Sequence, residues 1–257
     1  MLKYTTVNYM VILLLLLLMV FDRIFDLPFF LYVFVVVVYL TLLIYGTFVM
    51  SAQFFLTAFC NSETSSGSIA ITFDDGPIPG KTEKILEILN TYKVPAAFFC
   101  IGFRIADHPA LAKQIHEAGH LLGNHSYWHK NTFELQSAGR IETELLKTDT
   151  AIHHAIGLNP NFFRPPHGVT NPMVAKAILR RGYQTIGWSV RSFDTISDDR
   201  TTLLKRVTRS LKGGDIVLFH DNCSITLEIL PEFLDRVSAL GLKIIRVDDL
   251  LGKKAYG

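Results

Sequence analysis

The residues of this chain with the most chemistry to offer are carboxylates and histidines that follow short apolar runs. TFDDGP sets Asp74 beside Asp75, after one such run and before a Gly-Pro turn. Adjacent side chains at a strand end point in different directions, so the pair need not repel as a dyad. One can face a metal while the other faces a substrate; the plainer reading is a turn, since Asp-Gly-Pro is common turn chemistry. HSYWH places His125 and His129 four residues apart. On a helical turn that spacing puts both imidazoles on one face, as two ligands of one ion require. Such a pair is not rare by chance in a chain with nine histidines. Joined by one carboxylate, it becomes a two-histidine, one-carboxylate set with open coordination positions, which is what a catalytic metal needs. In RPPHG two prolines remove backbone donors and stiffen the loop. Arg164 is thereby held, either against a carboxylate or at the surface, and the His167 N–H is one of the few donors left. Asp194, in SVRSFDT, and His220, in VLFHD, follow two further apolar runs.

These residues need a scaffold that brings chain-distant segments together. NSETSSGS, residues 61–68, reads as a linker. After it, strand candidates at 68–73, 96–101, 120–124, 161–165, 183–190, 215–220 and 243–247 alternate with helical runs. Those runs (TEKILEILNTY, PALAKQIHEAG, GRIETELLKTDTAIHHAI, PMVAKAILRRG, TTLLKRVTRSL and PEFLDRVSAL) carry the i, i+3/i+4 apolar spacing of helices that cover a sheet. Seven alternations predict a parallel sheet, open or closed into a barrel. A barrel collects its reactive groups at the C-terminal strand ends, and every candidate above lies there. His108, His116, His120, His153 and His154 do not fit that pattern and read as solvated or structural. RTTLLKRVTRSLK reads as one solvated basic helix face, with a supplementary reading as a contact to anionic lipid.

Mean hydropathy is +0.31, high for a soluble domain, and the apolar excess sits at the front. Residues 1–60 carry only Lys3, Asp22, Arg23 and Asp26 as charges, while the other 197 hold 23 basic and 21 acidic residues. That near balance argues against nucleic acid as a principal partner. Three scattered cysteines suit neither a disulfide framework nor a thiolate zinc site. The stretches 4–21 and 27–49 are each long enough to cross a hydrocarbon core, with Phe54, Phe55 and Phe59 expected at its surface. A cleaved signal peptide would explain the first stretch and not the second. A lipoprotein anchor at Cys60 lacks the small residue expected before it. The few flanking charges are too evenly balanced to orient the hairpin.

TFDDGP, H-S-x-x-H, R-P-P-x-G and L-x-H, in that order, resemble the polysaccharide deacetylase family, the NodB-homology or carbohydrate esterase family 4 domain, over residues 69–250. The resemblance implies an α/β fold, a distorted (β/α) barrel of about seven parallel strands, here at residues 69–257 behind a membrane hairpin at 1–60. It implies hydrolysis of an N-acyl group, acetyl foremost, from an amino sugar. Asp75, His125 and His129 then match the ligands of one divalent ion, zinc above cobalt, nickel or manganese. Asp74 matches the general base and His220 the general acid, oriented by Arg164 and Asp194 respectively. The His167 N–H would help to stabilise the oxyanion, Leu218 would line the acyl pocket, and Trp188 would add an apolar wall. Many relatives carry tryptophan where this chain has Thr195, which touches pocket shape rather than chemistry.

The chemistry is self-consistent. A bound metal can lower the pKa of water from 15.7 to about 7 and polarise a carbonyl, and an acid–base pair can move the protons. A metal-dependent phosphatase would space its carboxylates as D-x-D, unlike the adjacent Asp74 and Asp75. An inactive saccharide-binding domain would leave some of these positions unfilled. A two-span transporter would carry ionisable groups within its spans. The expected partners are the bilayer and an envelope polysaccharide, peptidoglycan or lipid-linked amino sugar (deacetylated or deformylated), with no obligate protein partner. The expected location is the inner membrane with an extracytoplasmic catalytic domain.

Overall fold

The computed structural model describes residues 2–257. Two apolar helices, α1 (Tyr4–Phe25) and α2 (Phe30–Phe48), come first and pack side by side. Tyr39 Oη donates to Asn8 Oδ1 across them at 2.8 Å. Both are long and apolar enough to cross a membrane. Helix α1 runs through Asp22 and Arg23, beyond the expected end at residue 21. The Asp22 carboxylate accepts the Leu27 N–H at 2.7 Å, so this charge closes the turn and does not break the helix.

The remainder folds as strands β1 (Ala58–Phe59), β2 (Ser68–Asp74), β3 (Ala97–Cys100), β4 (Leu121–Asn124), β5 (Phe162–Phe163), β6 (Gln184–Ile186), β7 (Val190–Arg191), β8 (Ile216–His220) and β9 (Lys243–Ile244). All pairings among them are parallel, in the order β1-β6-β5-β4-β3-β2-β8-β7, with β9 paired to the start of β2. Helices α3 (Thr82–Tyr92), α4 (Gly102–Asp107), α5 (Pro109–Glu117), α6 (Ala138–Ile156), α7 (Pro172–Arg181), α8 (Arg200–Thr208), α9 (Ser224–Ala239) and α10 (Val247–Leu251) complete it. The strands curve into a half-barrel that stays open between its edge strands β1 and β7.

The expected strand at 183–190 is thus two strands. The Ile186 and Gly187 carbonyls accept hydrogen bonds from the buried Arg164 guanidinium at 3.0 and 2.9 Å, so they cannot continue a ladder. The chain then leaves β5 and joins β8, where Ser189 N–H donates to Ile216 O. Residues 58–59, expected near the bilayer surface, are the edge strand β1 against β6. Phe54 is likewise buried, edge to face with Tyr4 of α1 and covering Gly46 of α2. The 61–68 segment is pinned to the domain through Ser62 N–H to Gly214 O at 2.8 Å. Helix α9 begins seven residues before Pro231, because Thr226, Ile229 and Leu230 are themselves buried.

Side chains alternate across β2. Ile69, Ile71 and Phe73 face the helices in the main core, while Ala70, Thr72 and Asp74 face the barrel interior. On β8, Val217 and Phe219 likewise join the helical core, and Leu218 and His220 point the other way. Phe73 is fully buried, stacked 5.0 Å from Phe98 and 6.0 Å from Phe219. Replacing Phe73 by alanine should cost about 3–5 kcal/mol, read as a fall in Tm of roughly 6–20 °C for the detergent-solubilised full chain. A fall under roughly 2 °C would show that this stack does not hold the β2 register.

Candidate active site

Strand β2 ends in register with its neighbours, Asp74 opposite Phe99 on β3 and opposite His220 on β8. Asp74 is buried, and its Oδ1 accepts from Arg164 Nη1 at 2.7 Å. Arg164 is itself fully buried, which requires that its donors be satisfied. Nη1 also reaches Thr72 Oγ1 at 2.8 Å, and the guanidinium lies 4.1 Å over the Phe99 ring. Asp74 Oδ2 is left facing the cavity, 3.8 Å from His125 Nε2.

The chain turns sharply after Asp74. Asp75 takes a left-handed φ of 79°, and its N–H donates to Phe99 O. Its Oδ2 accepts from Asn222 Nδ2 at 2.9 Å. Its Oδ1 is buried without a hydrogen-bond partner and lies 3.4 Å from His129 Nε2 and 3.7 Å from His125 Nε2.

The two histidines meet, but not on a helix as their spacing suggested. His125 and His129 lie in a loop after β4, where Ser126 and His129 adopt φ of 62° and 49°. Asn124 Oδ1 accepts the Ser126 N–H, and Ser126 Oγ accepts the His129 N–H. His125 Nδ1 sits 2.8 Å from the Arg164 carbonyl, which can only accept, so Nδ1 carries the proton and Nε2 presents a lone pair. Burial, reinforced by the His129 charge, holds His125 well below the usual histidine pKa, so the ring is neutral. One orphaned carboxylate oxygen facing two imidazoles, with all ligand atoms within 4.8 Å of one another, fits a divalent ion.

His220 closes the opposite wall. Its Nδ1 is 2.7 Å from Asp194 Oδ1, and its backbone N–H donates to Asp194 Oδ2 at 2.7 Å. Thr226 and Ser192 hydroxyls complete the grip on that carboxylate. Burial opposes charge on both partners. Even so, the Asp194 bond and charge raise the His220 pKa, and the His220, Thr226 and Ser192 bonds lower that of Asp194. Both therefore stay charged, the imidazolium with Nε2 free for the cavity.

Eight of the ten residues singled out from sequence, Asp74, Asp75, His125, His129, His167, Trp188, Leu218 and His220, line one cavity of about 270 Å³. Arg164 and Asp194 stand behind it. Gly168, with φ of 73°, has no room for a Cβ, which would lie 2.4 Å from the Trp188 ring. His120 is structural: its Nδ1 accepts the buried Ala96 N–H, and burial pushes its pKa down to about 4. Asn222, Thr226 and the cavity-lining Arg191 went unread in the sequence. Arg191 sits within SVRSFDT beside a more conspicuous residue, Asn222 lies just beyond VLFHD, and Thr226 lies in a turn of α9 ahead of the expected start.

A sequence profile of the polysaccharide deacetylase family matches residues 61–186. A peptidoglycan-N-acetylglucosamine deacetylase of Bacillus cereus is 36% identical over 191 residues, covering 72% of this chain and 89% of that protein. The peptidoglycan-N-acetylglucosamine deacetylase PgdA of Listeria monocytogenes is 34% identical over 186 residues, 72% of this chain but only 39% of its own length. The solved structure of a CE4 family pseudoenzyme from Bacillus anthracis superposes with a TM-score of 0.70 at 29% identity, over 76% of this chain and 68% of that one.

Outer partners of metal ligands typically set affinity by 10–100-fold. Asn222→Ala should therefore weaken zinc binding about 10–100-fold in a chelator-competition titration. An unchanged affinity would mean that the Asp75 carboxylate orients itself unaided. With the half-barrel, the four ordered motifs and these relatives in hand, the chain belongs to the polysaccharide deacetylase family.

Proposed function

We propose that this protein hydrolyses the N-acyl group, foremost acetyl, of an amino sugar in an envelope glycan, using one divalent ion held by Asp75, His125 and His129. The observation that carries the reading is the pair of differently held proton carriers in one cavity. Asp74 is held by the Arg164 guanidinium, and His220 by the Asp194 carboxylate that raises its pKa. Fold alone does not decide activity, as the pseudoenzyme relative illustrates; filled and oriented acid, base and ligand positions favour catalysis here.

Zinc suits the mixed imidazole–carboxylate donor set and, when bound, supplies Lewis acidity to the acyl carbonyl and to water. The protein does the rest. With Oδ1 tied to Arg164, Asp74 offers Oδ2 to take the proton of the attacking water. The His167 N–H and the Leu218 side chain, both on the cavity lining, would receive the acyl oxygen and methyl. His220, protonated and held through Nδ1, delivers its Nε2 proton to the departing amine. Trp188, which lines the cavity, would give it an apolar wall.

Helices α1 and α2 serve as bilayer spans, with the half-barrel on the extracytoplasmic side where envelope glycans lie. The end of α2 and the residues just after it pack behind the cavity wall. Thr170 donates its N–H to Thr47 O and its hydroxyl to Gly46 O at 3.1 and 3.2 Å. Met50, two residues beyond α2, packs in one cluster with Trp188. A span end lies at headgroup level, so this contact keeps the cavity close to the membrane. That favours glycan near the bilayer, including lipid-linked precursors.

The direct test is acetate release from N-acetylated glycans by the purified, zinc-loaded full chain, abolished by chelation and restored by zinc. Absence of release from peptidoglycan, chitooligosaccharide and lipid-linked substrate alike would refute the reading. Asp74→Asn and His220→Ala should each lower turnover by about 10²–10⁴ while zinc binding persists; loss of zinc in either variant would move that residue into the ligand set. Asp194→Asn removes the interaction that raises the His220 pKa. The acid is then lost at lower pH, so the alkaline limb of the kcat/KM profile should move down. An unmoved limb would dissociate Asp194 from the acid.

A further inference from the structure

The mechanism above accounts for every charged side chain around the cavity except one. Arg191, at the end of β7, lines the cavity. Its guanidinium lies 5.3 Å from the Trp188 ring centre and 4.7 Å from that of Phe193. Its Nε is buried with no hydrogen-bond partner. Six other arginines pair with a carboxylate, whereas among the described residues none lies within ion-pair distance of Arg191. The carboxylates nearest to hand are committed: Asp74 to Arg164, Asp194 to His220, and Asp75 to Asn222 and the histidines. A second cation stands behind it, since Arg206 lies 5.5 Å from the Phe193 ring and donates to Ser192 O.

We propose that Arg191 is a specificity-determining residue that binds an anionic oxygen pair, carboxylate or phosphate, on the substrate, so that the protein selects acidic over neutral amino-sugar glycans. The inference rests on the deacylase reading for its reaction, but its recognition step stands on geometry alone. Two aromatic faces hold the guanidinium plane and shed its water, which strengthens an approaching ion pair. The planar fork matches either anion with two parallel hydrogen bonds. A neutral sugar placed against the same wall would leave a partly desolvated cation unpaired, which penalises the wrong substrate as well as rewarding the right one. The carboxylate would come from an acidic substituent on the sugar, and the phosphate from a glycosyl diphosphate on a lipid.

The test is a double-mutant cycle between protein and substrate, run on the full chain with Arg191→Gln. In the first arm, glycan strands bearing a carboxyl-substituted N-acetyl amino sugar are compared with the same strands amidated at that carboxyl. In the second, vesicles carrying polyprenyl-diphosphate-linked N-acetylglucosamine are compared with an uncharged glycolipid of the same sugar. Removing the anion should cost wild type about tenfold or more in kcat/KM in one arm and cost Arg191→Gln less than about threefold, a coupling expected of a charge-assisted pair. The arm that shows the coupling identifies the anion, and Arg191→Lys should restore part of it. Equal costs in both proteins in both arms overturn the proposal, as does a thermal unfolding loss in Arg191→Gln that Arg191→Lys repairs without any coupling. The cycle is repeated as calorimetric binding to the Asp74→Asn protein. Coupling in binding without turnover in wild type would keep the anion site and discard the deacylase reading, whereas turnover without coupling would do the reverse.

Discussion

The constraint on which the rest of the structure depends is the burial of the Arg164 guanidinium. A fully desolvated cation is tolerable only if nearly every donor is met, and here the partners come from two separate segments. Asp74 and Thr72 come from β2, and the Ile186 and Gly187 carbonyls from the end of β6. The backbone carbonyl of the same residue accepts a hydrogen bond from the His125 Nδ1–H. One residue thus fixes a carboxylate, selects a histidine tautomer and ends a strand, and the two prolines after it hold the loop that leads to His167.

The electrostatic consequence is a division of labour between carboxylates that look alike in sequence. Asp74 faces a fixed cation, Asp194 faces an imidazole that it keeps protonated, and Asp75 keeps one oxygen unpartnered beside two neutral-capable imidazoles. Environment, not residue type, suits them to the proposed roles of base, support and ligand. The contact between α2 and the cavity wall extends the same logic to position. In the proposed arrangement, with α1 and α2 as spans, the contacts from the end of α2 to Thr170 and from Met50 to Trp188 keep the cavity close to the bilayer.

Much of this was legible in the sequence because a parallel half-barrel delivers its chemistry in a regular way. Short apolar runs end in polar residues, and those residues converge at the C-terminal edge. The placement of Asp74, His125, Arg164, Asp194 and His220 followed from that rule and from the ordered family motifs. What was hidden depended on long-range contacts. The break at 187–189 follows from carbonyls claimed by a buried arginine more than twenty residues away. The histidine pair follows from left-handed residues at 126 and 129, held by Asn124 and Ser126, where spacing alone suggested a helix. Residues 58–59 carry too little pattern to announce a strand, and Pro231 masked the first turns of α9. Arg191 resembles any loop arginine until the absence of a partner becomes visible in three dimensions.

The central claim is that one ion is held by one carboxylate and two imidazoles at the mouth of this half-barrel. Zinc K-edge X-ray absorption on the metal-loaded full chain tests it most directly. The account predicts two imidazole nitrogens at about 2.0–2.1 Å with oxygen completing the shell, reduced to one imidazole in His129→Ala. A shell with thiolate sulfur at about 2.3 Å, or one that His129→Ala leaves unchanged, would contradict it.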